Sequence, residues 1–140
     1  MPMRLPKKII DSNVILRFFL ADDEKQFPRA SEFIQALEAG SDEALLTEMV
    51  FAEVVWVLQK VYAVPRAEIA LKFTQLIKGL GIKTVSGKAV FIEALKIYAG
   101  TAIDIQDVFL SVLEQNHNCT VVTFNKRDFK KLGCESSEPK

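Results

Sequence analysis

The side chains in this sequence that could do chemistry are carboxylates, and they stand at the edges of apolar runs, where surface charges seldom sit. Asp11 directly follows the short run Lys7–Ile10. Glu53 is the only charge between Val50 and Leu58. Asp104 and Asp107 come just before Val108, Phe109 and Leu110, and Asn125 and Asp128 follow the run Cys119–Thr123. Brought together, carboxylates from these positions repel, and at least one takes up a proton unless a cation is present. A divalent ion removes that conflict. Mg²⁺ prefers oxygen donors, binds through one or two carboxylates, keeps several waters and shares its remaining positions with substrate phosphate. It can lower the pKa of a bound water to make a nucleophile and stabilise charge on the leaving oxygen, singly or in pairs. Such chemistry needs no Ser, Cys or His nucleophile.

Each position adds something of its own. Ser12 and Asn13 can cap a helix and hydrogen-bond the Asp11 carboxylate or a metal-bound water. Glu53 has Val50, Trp56 and Val57 around it at helical spacing, so the pattern predicts a buried carboxylate in need of a partner, and no basic residue adjoins it. Asp104 and Asp107 fall on neighbouring points of one helix face. Plainer readings exist for single residues. Asp11 alone also reads as a helix cap, Asp104 and Asp107 as charges favoured at a helix N-terminus, and Asp128 alone as a solvated surface charge. The joint pattern is what points to a site.

Positioning these groups calls for strands alternating with helices. Short apolar runs do alternate with long periodic stretches, the mark of a mostly parallel sheet. Strands are predicted over Lys7–Ile10, Ala44–Thr47, Ile82–Val85 and Cys119–Thr123, the last rich in β-branched residues. Helices are predicted over Val14–Leu20, Pro28–Ala39, Glu48–Tyr62, Arg66–Lys78, Lys88–Ala99 and Ile105–Gln115, with Pro28 in a permitted first turn and Gly40 as a stop. Phe51, Val55, Leu58 and Tyr62 make one stripe, and Ile69, Phe73, Leu76 and Ile77 make another, as in a helical hairpin. In an open parallel sheet, ligands collect at the carboxyl ends of strands. Asp11 and the pair Asn125 and Asp128 fall there.

Composition sets outer limits. A chain of 140 residues, nearly half of them hydrophobic, suits one domain, here taken as residues 1–132 with a C-terminal tail over 133–140. Positive and negative side chains balance at 18 each, so no global basic field collects polyanions and any nucleic-acid contact must come from a local patch. Cys119 and Cys134 lack metal-ligand spacing and read as reduced thiols of a cytoplasmic protein. Met1–Lys8 is basic, but the apolar stretch after it is too short for a secretion signal, and Glu53 interrupts the longest apolar run, so no membrane span is expected. His117, the only histidine, reads as a surface helix cap, and a histidine triad or metal site would need a second chain. Gly81–Lys88 departs from the phosphate-loop spacing, with Ala89 where Ser or Thr is required. The phenylalanines mostly fall on helical stripes and read as core. A phosphotransferase of the haloacid dehalogenase type would want a second aspartate where Asn13 stands.

Taken in order, IIDSNVIL (Ile9–Leu16), FAEVVWVL (Phe51–Leu58), IDIQDVFL (Ile103–Leu110) and VVTFNKRDF (Val121–Phe129) resemble the PIN domain, in particular the VapC-like toxins of prokaryotic toxin and antitoxin pairs. The resemblance covers about Lys7 to Leu132. It implies a three-layer, Rossmann-like α/β fold with a short, mostly parallel central sheet flanked by helices. It also implies Mg²⁺- or Mn²⁺-dependent cleavage of RNA. Motif by motif, Asp11 is the first metal-binding acid, Glu53 the second and Asp107 the third, with Asp104 as an accessory acid and Thr123, Asn125 and Asp128 at the fourth position. Asp11 and Asp107 would hold the metal directly, Glu53 would complete the shell or position the attacking water, and Asp104 and Asp128 would tune it.

Two departures from the family pattern matter. Ser12 stands where the family commonly has Thr, which keeps the hydroxyl. Asn125 stands where some members have Asp, so the fourth carboxylate is either supplied by Asp128 or missing, and weaker or Mn²⁺-dependent activity is expected. The resemblance further implies single-stranded or loop RNA as substrate, a homodimer, and inhibition by an antitoxin segment that blocks the acidic pocket. Arg17, Lys126 and Arg127, with Lys130 and Lys131, are candidate phosphate contacts, although such a run is usually a solvated face. The alternative is a PIN-like domain that binds RNA or a protein without cleaving it.

Overall fold

Leu45 sits at the middle of the sheet that carries the first acidic residue. Its N–H donates to Lys8 O at 2.8 Å, and its carbonyl accepts from Ile10 N–H at 3.1 Å. In the computed structural model, which describes residues 4–140, the elements run α1 (Ser12–Leu20), α2 (Gln26–Ala39), β1 (Ala44–Leu45), α3 (Glu48–Lys60), α4 (Arg66–Ile77), β2 (Ile82–Lys83), α5 (Lys88–Ala99), α6 (Ile105–His117), β3 (Val121–Val122), α7 (Lys126–Lys131) and β4 (Ser136–Ser137). The first three residues of the basic stretch Met1–Lys8 lie outside the described residues.

On its other side β1 pairs in parallel with β2, Ala44 opposite Ile82 and Leu45 opposite Lys83. Three parallel extended segments therefore lie side by side with β1 in the centre, joined by helical crossovers, as an α/β fold requires. The strands are shorter than predicted. Lys7–Ile10 contributes a single bridge, Ile9 to Leu45. β1 stops because Thr47 turns its hydroxyl to accept the Val50 N–H at 3.2 Å and so caps α3.

The helices follow the sequence reading closely. α5 has the predicted bounds. α2 starts earlier than expected, because Asp23 Oδ1 accepts from the N–H groups of Lys25 and Gln26, at 3.0 and 2.8 Å, and Pro28 remains in its first turn. Gly40, at φ 78°, ends it. Tyr62, expected on the buried stripe of the third helix, lies beyond the end of α3 and is exposed.

One aromatic cluster ties five helices together. The Phe51 ring on α3 lies 5.1 Å from Phe73 on α4, 4.9 Å from Phe91 on α5 and 5.8 Å from Phe109 on α6, and Phe73 meets Phe19 of α1 at 5.5 Å. Edge and tilted contacts at these distances are favourable beyond the area they bury. Phe124 is an exception to the reading of phenylalanines as core, being 81% exposed.

Two elements were not expected. Lys126–Lys131 forms α7, anchored by the buried Phe129. Ser136 and Ser137, within the segment read as a tail, pair in parallel with Val121 and Val122 of β3. Serines have little strand preference, and backbone hydrogen bonds to the otherwise open edge of β3 supply what propensity does not. Both cysteines are free, Cys134 buried and Cys119 exposed. No helix among the described residues is long and apolar enough to cross a membrane.

Candidate active site

Three of the acidic residues meet where α6 begins. Asp104 is the N-cap residue of α6, but its side chain makes no capping hydrogen bond, so its carboxylate is not spent on the helix. Asp107 lies within the first turn, and α7 brings in Asp128 from its own first turn. Asn125 joins two of them. Its Nδ2 donates to Asp128 Oδ2 at 2.8 Å and, more weakly, to Asp107 Oδ2 at 3.5 Å. Asn125 is itself held by its backbone N–H, which donates to Thr123 Oγ1 at 2.9 Å.

Asp107 is half-buried, and its carboxyl is held above the usual carboxylate range. Burial is the largest cause, followed by the negative charges of Asp104 and Asp128, while the hydrogen bond from Asn125 acts in the opposite direction. Three predicted acids thus lie within electrostatic reach of one another.

Asp11 and Glu53 stand apart from this group. Asp11 occupies the N-cap position of α1 in extended conformation, again with no side-chain capping bond, and is exposed. The cap alone therefore does not explain it. Ser12 behind it is buried at 5% exposure, and Asn13 is exposed. Glu53 corrects the sequence reading. It is exposed, because the buried face of α3 is Phe51, Val54, Val55 and Leu58. The apolar residues that seemed to enclose it include Trp56, 47% exposed, and its own stripe continues to Met49, 85% exposed. A helical neighbour encloses a charge only if that neighbour is itself buried.

Chain topology sets Asp11 and the start of α3 toward the same edge of the sheet. Asp11 ends the first parallel segment, and Thr47 caps α3 just past the carboxyl end of β1 beside it. The first turns of α3 and α6 line one apolar cleft, through Met49 and Ala52 on one side and Ile105 and Leu110 on the other. Among the described residues, however, no three His, Cys, Asp or Glu side chains stand together in an arrangement that could hold a metal ion. The expected convergence of Asp11, Glu53 and Asp107 on one point is not preformed.

The proposed phosphate contacts divide into two sets. Lys126, Arg127, Lys130 and Lys131 are exposed on α7 beside Asn125 and Asp128. Arg17 instead donates to Asp22 at 3.3 Å and lines a cavity of about 350 Å³ between α1 and α2 with Asn13, Arg29 and Phe33.

The model of the PIN domain family matches residues 8–133. This chain belongs to the PIN domain family. Neither the curated proteins nor the solved structures compared with it give a match. The four motifs all fall inside the matched span, and the α/β architecture with short parallel strands is that of a PIN domain. PIN domains are typically nucleases that act on nucleic acid and generally use divalent metal ions. The donor chemistry of this PIN domain suits such an ion, although among the described residues no three acids are gathered to hold one. The donors are oxygens, the kind Mg²⁺ prefers, and one or two carboxylates with waters suffice. Burial does most to raise Asp107, and the negative charges of Asp104 and Asp128, which add to it, are the conflict that a bound cation relieves.

Arg66 was missed by the sequence reading. Its guanidinium donates to the carbonyls of Tyr98, Thr101 and Ile103, the residues leading into α6. One signal was available: Arg66 opens α4, and a cation at a helix N-terminus opposes the helix dipole, so it needs another reason to be there.

Proposed function

We propose that this PIN domain is a metal-dependent endoribonuclease of the cytoplasm, the VapC-like toxin half of a toxin and antitoxin pair. The observation that carries the reading is the half-buried Asp107, flanked by Asp104 and Asp128 and touched by Asn125. Asp107 and Asp11 would hold Mg²⁺ or Mn²⁺, and Glu53, exposed on α3, would accept a proton from the attacking water or orient it. When bound, such an ion would supply a water of lowered pKa and balance charge on the leaving oxygen. Asp104 and Asp128 raise the negative potential around Asp107, Asn125 fixes the direction of its carboxylate, and Ser12, Asn13 and Thr123 support the loops. Lys126 and Arg127 hold RNA phosphates beside the acids, a local contact that the neutral overall charge requires. The antitoxin covers the same acidic edge, and the active form is a homodimer.

Wild type and Asp107→Asn are compared on structured and unstructured RNA in Mg²⁺, Mn²⁺ or chelator. Cleavage by wild type that needs the metal and is lost in the variant is the expected result, and equal cleavage by both rejects the assignment.

A second reading has one observation in its favour. Asn125 bonds to both Asp128 and Asp107, and so does part of the work of a cation without one. A PIN domain that binds RNA or a protein without cutting would then show binding by wild type and no metal-dependent product.

A further inference from the structure

Arg66 carries a positive charge with no carboxylate partner among the described ion pairs. Its charge is met by backbone. One guanidinium nitrogen donates to Tyr98 O at 3.0 Å, Thr101 O at 2.8 Å and Ile103 O at 2.8 Å, and the other nitrogen also reaches Ile103 O at 2.8 Å. The guanidinium carbon Cζ lies over the Tyr98 ring, 4.0 Å from its centre. Tyr98 is fully buried and is fixed at its far end, where its hydroxyl donates to Gln59 Oε1 at 2.6 Å. A planar fork stacked on a ring and bonded on its edge has one orientation, which Lys could not reproduce.

The clamped carbonyls define the end of α5 and the turn into α6. Tyr98 O belongs to the last turn of α5, Thr101 Oγ1 accepts from Ile103 N–H at 3.3 Å, and Ile103 is followed directly by Asp104 and, within one turn, by Asp107. Tyr98 also lies close to both Arg66 and Asp104. Its phenol is pushed up chiefly by burial, with Arg66 lowering it and Asp104 raising it.

We infer that Arg66 is a positioning residue for the acidic site: it fixes the Tyr98–Ile103 turn and through it the placement of the Asp104 and Asp107 carboxylates. This rests on the nuclease reading above. Removing a group that orients metal-binding side chains from behind typically costs about 10- to 100-fold in activity or metal affinity, and a misplacement near 1 Å is enough to cost on the order of 100-fold.

The test uses the full chain with Arg66→Lys and Arg66→Ala. Both are checked for folding by thermal melting, and all rates are taken well below the lower melting point. Arg66→Lys is expected to cut kcat about 10-fold or more while KM for RNA stays within about twofold, and to require a higher Mn²⁺ concentration for half-maximal rate. Amide hydrogen exchange is expected to quicken at residues 100–108 and not in α3. Free guanidinium at millimolar, non-denaturing concentration is expected to restore rate to Arg66→Ala, whereas ammonium does not. Unchanged kcat in folded Arg66→Lys, or a loss that only tracks the unfolded fraction, overturns the inference. Wild type that cleaves nothing in Mg²⁺ or Mn²⁺ overturns the nuclease reading instead, and the exchange rates then decide separately whether Arg66 orders the turn.

Discussion

Asn125 Nδ2 lies 3.5 Å from Asp107 Oδ2 and 2.8 Å from Asp128 Oδ2, so one neutral amide mediates between two carboxylates delivered by different helices. An amide there lessens the repulsion that two carboxylates and Asp104 would otherwise bring to bear, and it leaves Asp107 the acid most burdened by its surroundings.

Asp107→Asn should abolish function and stabilise the protein. The folded-state pKa of Asp107 lies above its unfolded value, so across that window the folded chain binds more protons than the unfolded one. Its contribution to stability is then fully present below the unfolded value and is lost as pH rises through the folded value. At neutral pH in chelator, wild type bears the whole penalty and the variant none. The variant should therefore melt higher at pH 7, with the gap closing as pH falls through the carboxylate range, while metal-dependent cleavage drops on the order of 100-fold or more. Melting curves in chelator at several pH values check this, and a wild type that melts at or above the variant at pH 7 contradicts it.

Asn125→Asp replaces the only amide in the group by a fourth negative charge. In chelator it should melt lower than wild type, by a few degrees for roughly each kcal/mol lost. Added Mn²⁺ should then raise its melting point more than it raises that of wild type, since stabilisation by a ligand grows with affinity. The cleavage rate at limiting Mg²⁺ should rise. Equal metal-induced shifts in the two proteins would mean that position 125 does not face the ion.

Phe51 is the residue on which the helices converge, with ring contacts to α4, α5 and α6. Phe51→Ala should cost about 3–5 kcal/mol, a large part of a total near 5–15 kcal/mol. Phe124→Ala, at an 81% exposed position, should stay within about 0.5 kcal/mol. Urea unfolding of both variants separates the two environments.

Helix positions were legible because burial in helices leaves a periodic trace, as at Ile69, Phe73, Leu76 and Ile77, all buried. The extended segments were legible in place but not in length, since each runs quickly into a cap or turn such as Thr47. The site was legible as types in order and less so as contacts. Glu53 misled because Val50, Trp56 and Val57 look like core in a linear reading, yet Trp56 lies on the open face of α3 and the two valines are only half-buried. Arg66 left only the signal of a cation opening α4, because its partners are backbone carbonyls, and carbonyls leave no mark in the identities of Tyr98, Thr101 and Ile103.

The C-terminal strand offers the last test, since the family match ends at Gly133 while the pairing continues beyond it. Thr123 N–H donates to Ser137 O at 2.8 Å, and the Thr123 hydroxyl in turn accepts from Asn125 N–H, so β4 supports the loop that carries Asn125. Cys134 is buried beside it, with its N–H bonded to Phe129 O at 2.9 Å. Burial pushes its thiol up to about 11, with the hydrogen bond to Glu114 the next cause. A protonated, covered thiol reacts slowly with alkylating reagents, so Cys134 reports whether β4 is docked, and exposed Cys119 serves as the internal reference. Ending the chain after Cys134 removes the partner of β3 and about 1 kcal/mol for each backbone hydrogen bond lost, and leaves the Cys134 thiol in place to report the loss by faster alkylation. It should lower the melting point and reduce kcat at temperatures where the truncated protein is still folded. Ser136→Ala with Ser137→Ala keeps the backbone pairing and should leave the melting point, the rate and slow Cys134 alkylation as in wild type. A truncated protein with undiminished rate would show that Asn125 and Asp128 hold their places without the strand.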